Sequence, residues 1–135
     1  MQDYNNNIIK EFHENEGKVG GPFAGAPMIL VTHTGAKSGT QRTNPLVYAK
    51  DGDRYLIFGS KGGSTKHPDW YRNLVANPNA TVEIGTEKFD VVAEVLTGAE
   101  RDRLYNKQAK IMPQFAEYQA RAGRTIPVVA LKRKS

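Results

Sequence analysis

Cysteine is missing from this chain, which excludes disulfides, thiolate nucleophiles and cysteine-held zinc or iron–sulfur centres. Its three histidines, His13, His33 and His67, fall at no metal-ligand spacing, so no metal site is expected. No apolar run approaches the ~20 residues that cross a bilayer, and no basic segment followed by an apolar one opens the chain. The reading is a soluble, cytoplasmic protein, and the formal sequon at Asn79-Ala80-Thr81 is taken as chance. G-x-G-x-x-G after a strand is absent, as is G-x-x-x-x-G-K-[ST], which removes two common routes to a bound phosphate. Without G-x-S-x-G, a triad drawn from Ser60, His67 and Asp69 has no support, because the three lie too close in sequence for its geometry.

What is present is an ordinary globular balance in 135 residues: 39% hydrophobic, 24% charged and a net charge of +5. That length holds one core, and the charge favours anionic partners without choosing among them. The stretch that stands out is Thr34-Gly35-Ala36-Lys37-Ser38-Gly39-Thr40-Gln41-Arg42, a basic, polar turn between the apolar runs 28–31 and 43–48. Glycine lets the backbone turn its N–H groups toward a ligand, and Lys37 and Arg42 add a point cation and a planar fork. A second glycine- and lysine-bearing loop, Gly59 to Thr65, follows about twenty residues later. The two make one anion-gripping site only if the fold brings them to a shared cleft.

The remaining pattern reads as follows. Residues 1–26 form an arm: a helix over 4–16 with Ile8, Ile9 and Phe12 on one face, then a Gly/Pro linker. Its polar face is rich in Asn and Glu, which argues against docking on anionic lipid and leaves an apolar lid role open. Residues 27–135 form the domain proper. Strands are expected at 27–33, at 43–50 with a break or edge near Pro45, and at 54–59 across the Asp51-Gly52-Asp53 turn. A helix runs from Pro68 to Asn77 with Trp70, Tyr71, Leu74 and Val75 on its apolar side. A hairpin over 80–85 and 87–96 follows, with Phe89, Val91, Ala93 and Val95 on one face. Thr97-x-x-Glu100 reads as a capping box for a helix carrying Leu104, Gln108 and Ile111, interrupted at Pro113 and resumed through Phe115, Tyr118 and Ala122. A last strand, 125–131, precedes a basic tail. Hairpin-linked strands with helices interposed late suit a small antiparallel barrel or sandwich rather than a doubly wound sheet.

Among single residues, Ser60 and Lys61 could set a hydroxyl and a charge at a strand end. Trp70 or Tyr71 could stack on a flat ligand, although a helix aromatic is more often core. His67 reads as an N-terminal cap and His33 as structural, while Phe115 and Tyr118 could wall a pocket.

Taken together, Thr34-Gly35-Ala36-Lys37-Ser38-Gly39-x-x-Arg42-x-Asn44-Pro45-Leu46, Ser60-Lys61-Gly62-Gly63, Trp70-Tyr71-x-Asn73-Leu74-x-x-Asn77-Pro78 and Arg124-Thr125-Ile126-Pro127 closely resemble the deazaflavin-dependent nitroreductase family of actinobacteria. The resemblance covers roughly residues 27–131. It implies an α+β, mainly β fold: a split β-barrel, FMN-binding-like, of about six mostly antiparallel strands with helices packed on it. It also implies coenzyme F420, an 8-hydroxy-5-deazaflavin, as cofactor, with FMN as the alternative, and hydride transfer to a quinone or nitro compound. By motif, Ala36, Lys37, Ser38 and Arg42 would hold the cofactor's phosphate and acidic tail. Thr43, Asn44, Pro45, Leu46 and Val47 would run along its ring, with Phe58, Gly59, Ser60, Lys61 and Phe115 near it. Asp69, Trp70, Tyr71, Arg72 and Asn73 would complete the site. Ser60 and Tyr118 are the catalytic candidates, Ser60 as a hydrogen-bond donor to the acceptor's reducible group. Two departures stand out: the family often has Arg where this chain has Ala36, and its known nitroreductase has tyrosines in place of Met112 and Phe115. Phe115 packs but donates no hydrogen bond, so the resemblance implies cofactor binding with little nitroimidazole reduction. A nucleic-acid partner is not expected, because the cations sit in loops rather than among aromatics on a sheet face. A homodimer and a non-catalytic deazaflavin carrier remain open alternatives.

Overall fold

The computed structural model describes residues 2–21 and 25–134. Six strands, β1 (Met28–Thr34), β2 (Gln41–Asp51), β3 (Arg54–Phe58), β4 (Asn79–Ile84), β5 (Glu87–Leu96) and β6 (Val128–Arg133), close an antiparallel barrel in the order β1-β2-β3-β6-β5-β4. Four helices pack on it: α1 (Gln2–Glu14), α2 (Asp69–Ala76), α3 (Gly98–Ile111) and α4 (Gln114–Ala122).

Period-two alternation sorts each strand's side chains into two layers. Ile29, Val31, Ile57, Val82, Val91, Val129 and Leu131 fill the barrel, joined by Trp70 and Leu74 of α2. The opposite faces of β3, β5 and β6 bury Leu56, Phe58, Leu96, Val128 and Ala130 against α3 and α4. On the outer face of β1, Met28 and Leu30 pack with Ile8 and Phe12 of α1 and with Val19. Each fully buried aliphatic side chain contributes ~1.5–3 kcal/mol, so all three layers hold the fold. The arm is therefore docked on the barrel, and His13 Nε2 lies 2.9 Å from Glu83 Oε1 of β4.

Several local expectations shift. Pro45 does not break β2: it stands in register opposite Leu30. Tyr48 N–H donates to Pro27 O, so alternate residues Asn44 and Leu46 turn their N–H groups to β1 while Thr43, Pro45 and Val47 face away from it. Pairing with β3 begins only at Tyr48. The missing N–H of Pro45 thus falls on an unpaired edge, where proline is tolerated.

Val75 and Ile111 are exposed rather than part of the apolar stripes, and Asn73, Arg101 and Tyr105 are buried in those helices instead. Thr97 makes no side-chain capping bond, and the Glu100 carboxylate accepts from Arg54 Nη2 at 3.1 Å instead of turning back onto its own helix. His67 is not a cap either; Pro68 occupies that position. The last strand lies later than expected, so Lys132 and Arg133 belong to β6 rather than to a tail.

Candidate active site

The eleven residues of β2 outrun the five of β3, leaving the Gln41–Val47 edge open. Beside that edge lies a cavity of about 1200 Å³. Its walls are β2 from Gln41 to Val47, Phe58 at the end of β3, Ser60 and Lys61, the start of α2, and Met112, Gln114, Phe115 and Tyr118 around α4. Asn5, Asn6 and Ile9 of α1 close the remaining side. Thr40, Gln41 and Arg42 of the first loop and Ser60 and Lys61 of the second therefore share one cleft.

The first loop is organised by its own backbone. Gly35 N–H donates to Thr40 O at 2.8 Å and Gly39 N–H to Gly35 O at 3.0 Å, with Gly39 at φ +70°, which favours glycine. A buried relay ties this loop to the barrel. Ala36 N–H donates to Asn73 Oδ1 (2.9 Å), and Asn73 Nδ2 donates to His33 Nδ1 (3.1 Å). His33 Nε2–H then donates to Asn44 Oδ1 (2.7 Å) on β2. His33 must accept at Nδ1, so it is neutral with its proton on Nε2. Its pKa is lowered, chiefly by burial and further by the nearby Arg42 guanidinium, against the opposing pull of the Asn44 hydrogen bond and the Asp69 charge.

The second loop is held by Arg124. Its Nε donates to Ser64 O (3.1 Å), and Nη2 donates to Gly59 O (3.0 Å), Ser60 O (3.3 Å) and Lys66 O (3.0 Å). Nη1 donates to His67 Nδ1 at 3.0 Å, so His67 is neutral too, its pKa lowered by burial and by the Arg124 and Arg72 charges. Gly59 is glycine for space: a Cβ there would stand 2.7 Å from Pro127 Cγ. The aromatic wall is a chain of edge contacts, Phe58–Phe115 and Phe115–Tyr118 each at 5.4 Å between ring centroids. Behind it, buried Tyr105 donates its hydroxyl to Phe115 O at 2.7 Å.

Of the residues expected at the site, Arg42, Thr43, Asn44, Pro45, Leu46, Val47, Phe58, Ser60, Lys61, Asp69, Trp70, Phe115 and Tyr118 line the cavity. Ala36, Lys37 and Ser38 are exposed in the adjoining loop and outside the lining. Gly59 is buried behind Ser60, and Tyr71 packs on His67 with centroids 4.7 Å apart and the rings tilted by 43°. Arg72 pairs with Asp69 at 3.2 Å, and Asn73 acts through the relay. Sequence reasoning missed the α1 residues, Met112 as a wall, His33 as a lining residue and the clamp by Arg124. Three carried a signal: Arg124 through the Arg124–Pro127 motif, Met112 as a departure from the family pattern, and the apolar face of the arm, for which a lid role stood open.

The residues present suit a long, flat, negatively tailed ligand. The cavity exceeds the ~300–1000 Å³ of a typical small-molecule pocket, with an apolar wall at Pro45, Leu46, Phe58 and Trp70 and cations at Arg42 and Lys61. The chain is 40% identical over 129 residues to the F420H(2)-dependent quinone reductase of Mycobacterium tuberculosis, spanning 91% of this chain and 85% of that protein. A solved structure of an F420-H2 dependent reductase matches at TM-score 0.71 and 40% identity, covering 78% of this chain and 94% of that one. Another, described as a domain-swapped dimer, matches at TM-score 0.73 and 34% identity over 97% and 98% of the two chains. Fold and site together define an F420-dependent oxidoreductase on a split β-barrel. The model of the F420H(2)-dependent quinone reductase family matches residues 6–133, and the chain belongs to that family.

Proposed function

We propose that this protein reduces a small quinone at the cavity beside the open edge of β2, using reduced coenzyme F420. The observation that carries the reading is the convergence of both cationic loops and the unpaired strand edge on one aromatic-walled cleft. The coenzyme, when bound, supplies a hydride. The chain's own residues bind and orient. Arg42 and Lys61, with Lys37 in the adjoining loop, hold the phosphate and carboxylates through charge-assisted contacts. The outward-facing backbone of Thr43 and Val47 offers hydrogen bonds to the polar rim of a flat ring, while Pro45 and Leu46 give it an apolar bed. Ser60 hydrogen-bonds the acceptor oxygen, where negative charge grows during transfer. Tyr118, whose hydroxyl has no partner among the described residues, is the second polar group at the acceptor end. Phe115 and Phe58 exclude water from it, which strengthens each electrostatic contact.

Phe115 has no hydroxyl to meet a nitro group, so nitroaromatics are expected to be the slower acceptors. The relative described as a domain-swapped dimer makes a homodimer the assembly to look for, by light scattering. Among the described residues no helix is long and apolar enough to cross a membrane. The test is a titration of the purified protein with oxidised F420 and, separately, with FMN, followed by ligand fluorescence, then turnover of reduced F420 with a soluble naphthoquinone. Tight binding of FMN alone would reject the cofactor reading, and F420 binding without quinone turnover would reduce the protein to a carrier.

A further inference from the structure

A second, smaller cavity of about 180 Å³ lies outside the barrel, between β2, β3 and the last two turns of α3. Leu56 and Leu104, each 2% exposed, form its floor. Ala49 narrows one side, and Ile111 stands at the mouth, a large apolar side chain left 66% exposed. Met112 is the only described residue that lines both this cavity and the main cleft.

One polar group meets this apolar space from within. Gln108 is 3% exposed and lines it. Its Nε2 donates to Met112 Sδ at 3.3 Å, and a thioether is a weak acceptor. Its Oε1 accepts from nothing among the described residues, yet none of their buried side-chain oxygens or nitrogens lacks a partner. The oxygen therefore touches open space, and the open space beside Gln108 is this cavity. A ligand that donates one hydrogen bond would satisfy it.

Size and charge narrow the class further. An apolar cavity of ~150 Å³ takes one benzene ring, so this one has room for a ring and a single small substituent. None of the three charged residues at its border favours an ion inside. Asp51 is paired with Arg54, the Lys50 ammonium is turned to Tyr55 Oη at 3.2 Å, and Lys107 is exposed with its charge in water. An ion buried against Leu56 and Leu104 would lose its hydration without a counter-charge.

We propose that this cavity binds a small neutral ring carrying one hydroxyl, of the phenol class, which donates to Gln108 Oε1, and that its occupancy is felt in the main cleft through Met112. Met112 is tied to Gln108 twice, by its sulfur and by its N–H, which donates to Gln108 O at 2.8 Å. Met112 O in turn accepts from the N–H of Phe115 at 3.0 Å, in the aromatic wall of the cleft. An unbranched methionine adapts its shape readily, so a ring seated against Gln108 pushes it toward the main cleft and narrows the acceptor end. Binding at the second cavity stands apart from the reductase reading, while its effect on turnover rests on that reading.

The test uses the methyl-labelled full chain with phenol and its near-isostere toluene as probes, beside the Gln108→Met and Ala49→Leu variants. Phenol should shift the methyl resonances of Leu56, Leu104, Ile111 and Met112 saturably, with a dissociation constant of ~1 mM or tighter for a ligand of this size. Gln108→Met keeps the side-chain length without the carbonyl, and should reduce the preference for phenol over toluene ~2–10-fold, the worth of one neutral hydrogen bond. Ala49→Leu fills the cavity from a position outside the main cleft and should abolish the response to both probes. Silent methyl groups, shifts confined to Leu46 and Val47 of the main cleft, or an unchanged preference in Gln108→Met would overturn the site. With reduced F420 and a naphthoquinone, phenol should raise the quinone KM at least ~5-fold, the low end of allosteric coupling, with F420 affinity unchanged. Ala49→Leu should turn over quinone normally and ignore phenol. A phenol effect that survives in Ala49→Leu would place the ligand in the main cleft and refute the coupling, as would a KM that phenol leaves unmoved. Methyl shifts in a protein that neither binds F420 nor reduces quinone would leave the second cavity standing and sink the reductase reading instead.

Discussion

Asn73 is the joint between the first cationic loop and the barrel, and its replacement by alanine should loosen both. Two hydrogen bonds are lost: Ala36 N–H to Asn73 Oδ1 and Asn73 Nδ2 to His33 Nδ1. They are not equivalent. Ala36 is exposed, so its amide regains water and the loss there is ~0.5–1.5 kcal/mol. His33 is 2% exposed, so its Nδ1 is left without a donor, at ~1–3 kcal/mol. The sum of ~1.5–4.5 kcal/mol should lower the melting temperature by ~5–18 °C, taking ~3–4 °C per kcal/mol for a domain of this size. Asn73→Asp separates the two halves. The carboxylate still accepts from Ala36 N–H but cannot donate to His33, so it favours a protonated imidazole. In the wild type, burial holds the His33 pKa below its ordinary value. The unfolded chain then takes up the proton first as pH falls, and stability is full above ~6.5 and declines below it, by up to ~1.4 kcal/mol per pH unit. His67, also shifted down, adds in the same direction. Asn73→Asp should raise the His33 pKa and flatten or reverse that share of the decline. Calorimetric melts from pH 5 to 8, with imidazole resonances followed by NMR, measure both. An alanine variant melting within 2 °C of wild type, with unchanged F420 affinity, would refute the relay.

Three further changes test other parts of the site. Gly59→Ala should destabilise the protein by ~1–3 kcal/mol and displace Ser60, because the new Cβ would meet Pro127 Cγ at 2.7 Å; thermal melts and quinone turnover should fall together. Lys37→Ala should weaken F420 binding more at low salt than at high salt, and equal loss at both would argue against an electrostatic role. Tyr105→Phe strips the donor from the buried Phe115 carbonyl, costing ~1–3 kcal/mol. Burial pushes the Tyr105 hydroxyl up to about 12, so ultraviolet titration of the wild type should show one tyrosine ionising last, and that step should vanish in the variant.

The barrel was legible because its signals are local. Alternation in 87–96, the Asp51-Gly52-Asp53 turn and Pro68 ahead of a helix each act within a few residues, and β3, β5 and α2 lie close to where those signals place them. Expectations failed where a distant partner decided. Glu100 was expected to turn back onto its own helix, but Arg54, 46 residues away, claims its carboxylate. Pro45 looked like an interruption because the side its missing N–H faces depends on pairing with β1 and on where β3 begins. Val75 and Ile111 matched helical spacing, yet only packing decides which edge of an apolar stripe reaches the core.

By itself the sequence determined that cations would flank strands in two glycine-bearing loops, and that a hydroxyl and a lysine would stand at the end of the third strand, because residue type and turn chemistry are written locally. Tertiary structure alone decided that those loops face one another, that β2 keeps an open edge between them, and that Arg124 lies under one and Asn73 under the other. Those contacts join residues 37 to 65 positions apart. Barrel closure brings such residues together, and no pattern within a window of a few residues specifies it.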